Sequence, residues 1–539
     1  MKKGMNGMKK TFAILLSIVL MLSLAVPAMA EEETTETYSI TINNEAEGHT
    51  YEAYQIFAGD LAKEGENEAG ATNAVLSNIV WGKGISEAGQ TAMGNAAEKA
   101  KTLTADNITA FAKQVAEYLT SPSSSANTVS DGKYIIRGLE PGYYLVKDQN
   151  NSLDGDDDSY TSYIIEVVEN SVVTPKSSKP SVQKKVDDEN DSVVDVKDGD
   201  NLVTDGEDTV RWEDSADHDI GDSVKFQLKA TLADNVSAYD TYKVVFHDTL
   251  SKGLTYNDAS YKVYLGDGED RKDITSTFAI NVGAYSEEDG TEITFTCNDV
   301  TAEAVGAGNK DIIVVEYTAT LNEKAVLGSE GNPNKVSLEY SNNPNWKPGT
   351  DEDEEDSPTG KTPEDEVIVF TYKVEVKKTD GANPLPGAEF TLEKLVNGEW
   401  KALALVKDEA GTTFTFEGLD DGQYRLTEDK APEGFNLLSK PIYFTVTAEH
   451  EVESDDPKLT NLSASETDEN GANLTEGIVA QFSVIAENVG VSTTIVNKAG
   501  ATLPETGGIG TTIFYVVGGV LLVGAVVLLV TKKRMSAEG

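Results

Sequence analysis

The segment Tyr372–Thr379, Tyr-Lys-Val-Glu-Val-Lys-Lys-Thr, decides the fold class of the C-terminal half of this chain. Apolar and charged side chains alternate along it, which is the period of a half-buried β-strand. Lys378 shares the parity of Val374 and Val376, so a strand would direct its amine into the core. An inward lysine is costly unless it is neutral or paired. The segment therefore predicts a β-domain that contains a buried amine.

Two later segments place polar groups inward by the same rule. Glu428 ends the run Tyr-Arg-Leu-Thr-Glu, in which it shares a face with Tyr424 and Leu426. Asn497 shares the parity of Ile495 in the last strand-like run. The same domain is thus expected to contain a buried amine, a buried carboxyl and a buried carboxamide.

These three groups can react with one another. Burial lowers the pKa of a lysine and raises that of a glutamic acid, so both become neutral. A neutral amine is a nucleophile, a protonated carboxyl can shuttle a proton, and fixed proximity supplies a large effective molarity. The product would be a Lys–Asn isopeptide bond, formed with loss of ammonia. The alternative is a hydrogen-bonded polar cluster without a covalent bond.

The motifs around these residues resemble the CnaB-type domain of Gram-positive pilins. Lys378-Thr379-Asp380, followed by Pro-Leu-Pro-Gly-Ala-Glu-Phe at 384–390, is similar to the opening of that domain. Residues 424–435 resemble its E-box, and Ile-Val-Asn at 495–497 is similar to its last strand. The resemblance implies an isopeptide bond between the lysine and the asparagine of this triad, with Glu428 as the catalytic acid.

The region before it, 176–366, repeats the pattern with strand-like segments separated by Gly and Asn/Asp turns. Lys184 is in phase with Val182 and Val186, and Asn334 is in phase with Val336. The region resembles the CnaA-like middle domain of backbone pilins. That resemblance implies a bond between Lys184 and Asn334.

The catalytic acid of the middle region has two candidates, both in the segment 215–222, which carries part of the resemblance. Asp222 is in phase with Val224 and the strand that follows, although it can also be read as a turn residue. Asp217 lies in the more family-specific part of the segment. The sequence leaves the choice between them open.

The first region, 31–175, combines strand-like segments with a mostly helical stretch over about 87–118. Tyr144, Val146 and Asp148 imitate the phase of the E-box, with aspartate in place of glutamate. The opening strand Tyr38–Asn43 contains no lysine, so no internal bond is predicted in this region.

Both ends of the chain carry apolar runs. Lys2, Lys3, an apolar stretch over 12–26 and Ala-Met-Ala at 28–30 are typical of a cleaved secretory signal, whereas an uncleaved anchor is the alternative. The second run, 513–530, is long enough to cross a bilayer and is followed by Lys-Lys-Arg at 532–534. These basic residues place the extreme C-terminus in the cytoplasm and the rest of the chain outside.

Leu503-Pro504-Glu505-Thr506-Gly507 precedes that apolar run. The three-part order of motif, span and basic tail resembles the cell-wall sorting signal of sortase substrates. The resemblance implies cleavage between Thr506 and Gly507 by a cysteine transpeptidase, which retains Thr506 as a thioester.

An acyl group needs an acceptor amine, and Lys176 is our choice. It lies in Val-Val-Thr-Pro-Lys-Ser at 172–177, which resembles the pilin motif although Thr174 and Ser177 replace that motif's usual tyrosine and asparagine. Pro175 favours an extended, exposed segment. Lys179 is a nearby competitor, and an ordinary linker lysine is the other interpretation.

Composition excludes several functions. The formal net charge of -48 excludes nucleic acid as a partner, because phosphates would be repelled. The single cysteine, Cys297, precludes an intrachain disulfide and fits a small core residue better than a nucleophile. The four histidines form no metalloenzyme spacing, so we predict no external enzyme activity, no cofactor and no metal site.

We therefore expect a mainly β chain of tandem immunoglobulin-like, Cna-type sandwiches, with some helix near the N-terminus and a C-terminal transmembrane helix. The predicted parts are a signal peptide (1–30), an N-terminal pilin domain (31–175), a CnaA-like isopeptide domain (176–366), a CnaB-type isopeptide domain (367–500) and the sorting signal (501–539).

The resemblance implies the backbone subunit of a covalent surface pilus. A class C sortase would join Thr506 of one subunit to Lys176 of an identical subunit, and the last subunit would be attached to peptidoglycan. Ancillary or tip pilins are further expected partners, whereas the sequence identifies no host receptor. The alternative is an ancillary pilin or a monomeric wall-anchored adhesin, which would not need Lys176.

Overall fold

The computed structural model describes residues 37–61, 76–104, 107–149, 152–153, 160–174, 179–188, 202–205, 208–268, 270–346, 358–499 and 509–535. Strands dominate these residues, three short helices lie near the N-terminus, and one long apolar helix lies at the C-terminus. The predicted fold class, mainly β with limited helix, is confirmed.

Two sheets and three helices make up the first region. Its strands are β1 (Tyr38–Asn43), β2 (Tyr51–Leu61), β3 (Leu76–Trp81), β4 (Ser124–Ala126), β5 (Lys133–Leu139), β6 (Gly142–Asp148), β7 (Ser162–Val167) and β8 (Ser171–Val173). The sheet orders are β5-β1-β8 and β3-β2-β6-β7, with β4 paired to β2.

The expected helical stretch is divided into α1 (Glu87–Met93), α2 (Ala96–Lys101) and α3 (Ile108–Ala116). Gly94 ends α1 with a φ of 79°, a left-handed conformation that glycine adopts without strain. The side chain of Asn95 then accepts a hydrogen bond from the amide of Glu98 and caps α2. Local capping chemistry therefore interrupts a stretch whose alanine-rich composition favours one helix.

The middle region is a two-sheet sandwich. Its strands are β9 (Ser181–Asp187), β10 (Leu202–Asp205), β11 (Asp208–Glu213), β12 (Ser215–Asp217), β13 (Ser223–Thr231), β14 (Val244–Leu250), β15 (Leu254–Tyr256), β16 (Lys262–Leu265), β17 (Lys272–Asp273), β18 (Ala279–Val282), β19 (Thr291–Cys297), β20 (Ile312–Leu321), β21 (Asn332–Ser341), β22 (Thr359–Lys361) and β23 (Asp365–Phe370). One sheet runs β10-β11-β9-β13-β20-β16-β17, with β15 on β20. The other runs β12-β23-β21-β14-β19-β18, with β22 on β21. The core between them includes Phe226, Phe246, Phe295 and Cys297, so the cysteine is buried as expected.

The C-terminal region is a smaller sandwich of two five-stranded sheets. Its strands are β24 (Tyr372–Thr379), β25 (Glu389–Val396), β26 (Glu399–Ala402), β27 (Val406–Lys407), β28 (Thr413–Leu419), β29 (Gly422–Lys430), β30 (Ile442–His450), β31 (Leu459–Thr467), β32 (Phe482–Val484) and β33 (Val491–Val496). The sheet orders are β27-β28-β24-β33-β32 and β26-β25-β29-β30-β31. Phe390, Phe414, Tyr424 and Phe444 fill the core between them.

One residue joins the middle and C-terminal sandwiches. Strand β23 pairs with β21 and β12 and continues past residue 366, where we predicted a domain boundary, and β24 begins at Tyr372. Thr371 lies between the two strands, is fully buried, and donates a hydrogen bond to the carbonyl of Leu419. The two sandwiches therefore meet directly, without a linker at this point.

Helix α4 (Ile509–Met535) contains one segment, Ile513–Arg534, that is long and apolar enough to cross a membrane. Its mean hydropathy is 2.8, and none of this segment is buried against the rest of the protein. The segment agrees with the predicted C-terminal span, with Lys532, Lys533 and Arg534 in its last turn.

Candidate isopeptide sites

Lys378, Glu428 and Asn497 meet inside the C-terminal sandwich. Lys378 lies on β24, and Asn497 directly follows β33, the strand that pairs with β24 in parallel. Glu428 lies on β29 in the facing sheet. The amine and the carboxamide thus come from neighbouring strands, and the carboxyl approaches them across the core.

Each of these side chains contacts the other two. The Lys378 amine donates hydrogen bonds to Oδ1 of Asn497 at 2.5 Å and to the carbonyl of Ile495 at 3.2 Å. Asn497 Nδ2 donates to Oε1 and Oε2 of Glu428 at 2.9 and 3.2 Å. Lys378 Nζ lies 3.6 Å from Glu428 Oε1. This is the proximity that the proposed chemistry requires.

The surroundings of the triad favour a neutral amine. Its three side chains are no more than 4% exposed. Burial lowers the pKa of Lys378, and this outweighs the opposite effect of Glu428. The amide of Leu438 donates to Glu428 Oε2 at 2.9 Å and holds the carboxyl group in place. Parity therefore predicted the inward direction of all three groups, while the covalent bond stays a prediction.

The middle sandwich contains a second buried cluster, at Lys184 and Asn334. Lys184 on β9 donates hydrogen bonds to Asp248 on β14 and, at 3.3 Å, to the hydroxyl of Tyr317 on β20. That hydroxyl donates to Asp248 Oδ1 at 2.8 Å and accepts from Asn334 Nδ2 at 2.7 Å. Tyr317 thus bridges the lysine, the carboxyl and the carboxamide.

This cluster is fully buried, and its charges are disfavoured. Lys184, Asp248 and Asn334 are each 0% exposed. Burial lowers the pKa of Lys184 and raises that of Asp248, so the pair tends toward an uncharged amine and an uncharged acid. Among the described residues, Asn334 Oδ1 has no hydrogen-bond partner, and it is available to a proton donor.

Neither Asp217 nor Asp222 is the carboxyl group that contacts Lys184, and this corrects the sequence prediction. The residue that sequence reasoning missed is Asp248. It shares the parity of Phe246 and Leu250, so the rule that identified Glu428 would also have found it. The rule identifies inward carboxyl groups, but it does not tell which of them lies beside Lys184 across the sandwich.

The two rejected aspartates lie at the junction between the middle and C-terminal sandwiches. Asp217 Oδ2 accepts a hydrogen bond from the amide of Asp421 at 3.2 Å. Asp222 Oδ2 accepts from the amide of Asp219 at 3.1 Å and lies 3.8 Å from Nδ1 of His218. Both carboxyl groups therefore contact residues at this junction, and neither contacts Lys184.

A third buried lysine, Lys394, occupies the same junction. Its amine lies 2.6 Å from Asp219 Oδ2 of the middle sandwich and 2.5 Å from Asp420 Oδ1 of its own sandwich. Burial would lower the pKa of Lys394, but the two carboxylates raise it more, so this amine stays charged. Lys394 is therefore an ion-paired lysine, in contrast to Lys378 and Lys184.

The E-box-like pattern in the first region leads to a different arrangement. Asp148 is fully buried, as its parity predicted. Its Oδ1 lies 2.8 Å from Nδ1 of His49, and its Oδ2 accepts hydrogen bonds from the amide and hydroxyl of Thr161 at 2.7 and 2.9 Å. The acid of this region thus faces an imidazole and a threonine.

Two predicted sites lie outside the described residues. They are the acceptor Lys176 and the motif Leu503-Pro504-Glu505-Thr506-Gly507. Their roles stay predictions, as do the proposed domain limits.

Three segments match known protein families. Residues 220–344 match the Cna-B-like domain of Gram-positive pilin backbone subunit 2, and residues 372–458 match a prealbumin-like fold domain. Residues 495–536 match the LPXTG cell wall anchor motif. The anchor match confirms the sorting signal and the cell-wall location that the sequence indicated.

The chain is also similar to proteins of known name. The trypsin-resistant surface T6 protein of Streptococcus pyogenes serotype M6 is 26% identical over 362 residues, which are 58% of this chain and 65% of that protein. The solved T6 backbone pilin is 18% identical, covers 87% of this chain and 100% of its own, and aligns with a TM-score of 0.49. The major pilin SpaD of Corynebacterium diphtheriae is 18% identical, covers 88% and 100%, and has a TM-score of 0.42. At these TM-scores the structural resemblance is loose.

The family matches fall on the middle sandwich, the C-terminal sandwich and the anchor. The middle match is to a Cna-B-like domain, whereas the sequence resemblance pointed to a CnaA-like one. The resemblance to LPXTG-anchored backbone pilins of Gram-positive bacteria is therefore confirmed for these three segments.

Proposed function

We propose that this chain is the backbone subunit of a covalent pilus, assembled from identical copies by a class C sortase. The observation that carries the proposal is the combination, in one chain, of a backbone-pilin domain and a cell-wall anchor motif. An anchor motif alone would fit any wall-attached adhesin. A backbone domain adds the expectation of polymerisation.

The polymerising reaction needs an acyl donor and an amine. The sortase cysteine attacks the carbonyl of Thr506, and the bond to Gly507 breaks. The Lys176 amine of the next copy then displaces the enzyme thiol and forms an isopeptide bond. For the last subunit, an amine of the peptidoglycan precursor takes the place of Lys176.

Co-expression with a class C sortase on a Gram-positive surface tests this proposal. We expect a ladder of high-mass species on denaturing gels, its loss in Lys176→Ala, and its persistence in the matched variant Lys179→Ala. A ladder that survives both single variants and the double variant would refute Lys176 as the acceptor. Wall-attached monomer alone in the wild type would favour an ancillary pilin or adhesin.

We also propose that Lys378 forms an isopeptide bond with Asn497 in the C-terminal sandwich. The neutral amine attacks the side-chain carbonyl carbon of Asn497, while Glu428 as the acid gives its proton to the carbonyl oxygen. Glu428 then takes a proton from the attached Lys378 nitrogen and passes it to Nδ2 of Asn497. The bond between Nδ2 and the carbonyl carbon breaks, ammonia leaves, and the proton on the carbonyl oxygen returns to Glu428. The distances between the three groups and their burial support this course.

In the middle sandwich, the equivalent bond joins Lys184 and Asn334, with Asp248 as the acid. The 0% exposure of these three side chains and the bridging hydroxyl of Tyr317 support this assignment. The relative from Streptococcus pyogenes is named for resistance to trypsin. We propose that two internal bonds give this chain a comparable resistance, because a cross-linked sandwich rarely opens to a protease.

A further inference from the structure

Two acidic clusters lie at the junction between the middle and C-terminal sandwiches. The first consists of Asp219, Asp222 and Asp420, and the chain itself supplies a cation there, the amine of Lys394. The second consists of Asp188, Asp217 and His450, whose ligand atoms all lie within 4.8 Å of one another. The second cluster differs because an imidazole, rather than an ammonium group, completes it.

The hydrogen bonds of Ser215 fix the tautomer of that imidazole. The Ser215 hydroxyl lies 2.6 Å from the carbonyl of Glu451, which can only accept, so its single proton is used there. Nδ1 of His450, 2.8 Å from the same hydroxyl, must therefore donate. A neutral ring then has an unprotonated Nε2, and this atom lies 4.0 Å from Oδ1 of Asp188. This oxygen also accepts a hydrogen bond from the amide of Asp217 at 3.2 Å. The gap between the lone pair and the carboxyl group can hold a proton or a cation.

Glu213 provides an independent observation. Its side chain contacts the carboxyl group of Asp188, and the residue is only 6% exposed. Among the described residues, its Oε2 has no hydrogen-bond partner. A buried carboxylate oxygen without a partner costs free energy unless an ion or a proton binds it.

We propose that Asp188, Glu213, Asp217 and His450 bind one divalent transition-metal ion, Zn²⁺ or Mn²⁺, at this junction. An imidazole nitrogen combined with carboxylate oxygens suits these ions better than Ca²⁺, which prefers oxygen ligands alone. Ser215 is a positioning residue, because metal-binding histidines commonly donate their other ring N–H to an oxygen that fixes the ring orientation.

The ligands come from both sandwiches. Three ligands belong to the middle sandwich: Asp188 directly follows β9, Glu213 ends β11 and Asp217 ends β12. The fourth, His450, ends β30 of the C-terminal sandwich. The bound ion would therefore fasten the two sandwiches together beside the single joining residue. Sequence reasoning found no metal site because these ligands are widely separated along the chain.

Calorimetric titration of the metal-free exported chain with ZnCl₂ and with MnCl₂ tests the site. Removal of helix α4 is justified, since its membrane-spanning segment is not buried against the remainder. We expect one ion per chain, loss of this binding in His450→Ala, and about 10- to 100-fold weaker binding in Ser215→Ala. We also expect the ion to raise the melting temperature of the wild type but not that of His450→Ala.

The matched control is His247→Ala, which removes a half-buried histidine that also lies beside two glutamates, Glu292 and Glu339. It should leave the titration unchanged. If His450→Ala does not fold, the isosteric Glu213→Gln serves instead, and it should weaken binding at least tenfold. The proposal is overturned if the wild type shows no saturable binding of either ion. It is equally overturned if His247→Ala abolishes binding while the junction variants retain it.

Discussion

The amine of Lys378 lies 2.5 Å from the side-chain oxygen of Asn497, and both residues are at least 98% buried. Lys394, on β25, is buried just as deeply but lies between two aspartates. The first amine has a lowered pKa and the second a raised one. Burial alone therefore does not make a lysine reactive. The deciding property is whether the neighbouring groups favour the neutral or the charged form of the amine.

The intact mass of the purified ectodomain should be lower than the sequence mass by two molecules of ammonia. Each proposed bond releases one molecule, because the amide nitrogen of asparagine is the leaving group. Lys378→Ala and Lys184→Ala should each show one loss instead of two, after correction for the substitution. Mass spectrometry of the unfolded chain measures this directly.

Lys394→Ala is the matched control for that count. Because its amine is ion-paired, the variant should still show the loss of two ammonia molecules. A wild-type mass equal to the sequence mass would contradict both bonds. If Lys394→Ala loses fewer than two ammonia molecules, one of the bonds has been assigned to the wrong lysine.

Asp248→Ala should abolish the bond of the middle sandwich and leave the C-terminal one intact. Asp248 contacts the Lys184 amine, whereas Asp217 and Asp222 lie at the junction. The measurement is again the intact mass, with Asp217→Ala and Asp222→Ala as controls that should retain both bonds. If either control loses the bond while Asp248→Ala keeps it, the assignment of the acid is wrong.

Asn497→Ala should lower the free energy of unfolding of the C-terminal sandwich. The proposed bond joins residues 119 positions apart, and closing a loop of that size restricts the unfolded chain by about 4 to 5 kcal/mol in the chain-entropy treatment of cross-links. Denaturant titration of the ectodomain measures the change. The exposed residue Asn461, also on a strand of this sandwich, supplies the control Asn461→Ala, for which we expect a change within about 0.5 kcal/mol.

Lys394→Met should destabilise the junction by about 3 to 5 kcal/mol near neutral pH, because it leaves buried carboxylates without their cation. Burial raises the pKa of Asp420, and Asp219 raises it further. Because the pKa of Asp420 is higher in the folded protein than in the unfolded chain, the folded state gains stability when this carboxylate is protonated as the pH falls. The deficit measured by thermal unfolding should therefore shrink between pH 7.5 and pH 4.5.

The exposed Lys401 on β26 provides the control for that variant. Lys401→Met should have little effect at either pH. A deficit in Lys394→Met that does not change with pH would show that lost packing, rather than unneutralised charge, is the cause.

The pair His247 and Glu339 should stabilise the middle sandwich in a limited pH window. The hydrogen bond to Glu339 raises the pKa of His247 in the folded protein. The stabilisation from the charged histidine is therefore complete below the pKa of His247 in the unfolded chain, and it is lost as the pH rises through the pKa in the folded protein. The hydrogen bond to His247 lowers the pKa of Glu339 to about 2, so its contribution requires a pH above the unfolded glutamate value. The window thus lies between about pH 4.5 and 6.5.

His247→Gln should therefore cost about 1 kcal/mol at pH 5.5 and almost nothing at pH 8.5, since the pair is half-buried. Lys243 and Glu292 also face the pair, so a double-mutant cycle with Glu339→Gln isolates the interaction. Equal costs at the two pH values would contradict the charge-dependent explanation.

Strand parity predicted more of this structure than any other signal. It placed Lys378, Glu428 and Asn497 in one core and Lys184 and Asn334 in another, and all five are buried. The same rule applies to residues that we did not consider in the sequence. Lys394, for example, shares the buried face of β25 with Leu392 and Val396.

Contacts between the sandwiches could not be predicted in this way. Parity states that Lys394 points inward, but its partner Asp219 belongs to another sandwich and lies 175 positions away. The cluster around His450 likewise depends on how two complete domains pack together. Local sequence patterns do not predict that packing, because it joins residues that are far apart along the chain and belong to different sandwiches.

The parallel pairing of β24 with β33 brings the first and last strands of the C-terminal sandwich side by side. In the proposed fibre, tension would enter this domain near Lys378 and leave it near Asn497. Once the proposed bond has formed, the tension would pass directly between these residues, which are 119 positions apart, and the stretch between them would carry none of it. Without the bond, unravelling the same stretch would lengthen each subunit by roughly 400 Å. The side-by-side position of β24 and β33 therefore allows a single bond to keep the length of this domain fixed under tension.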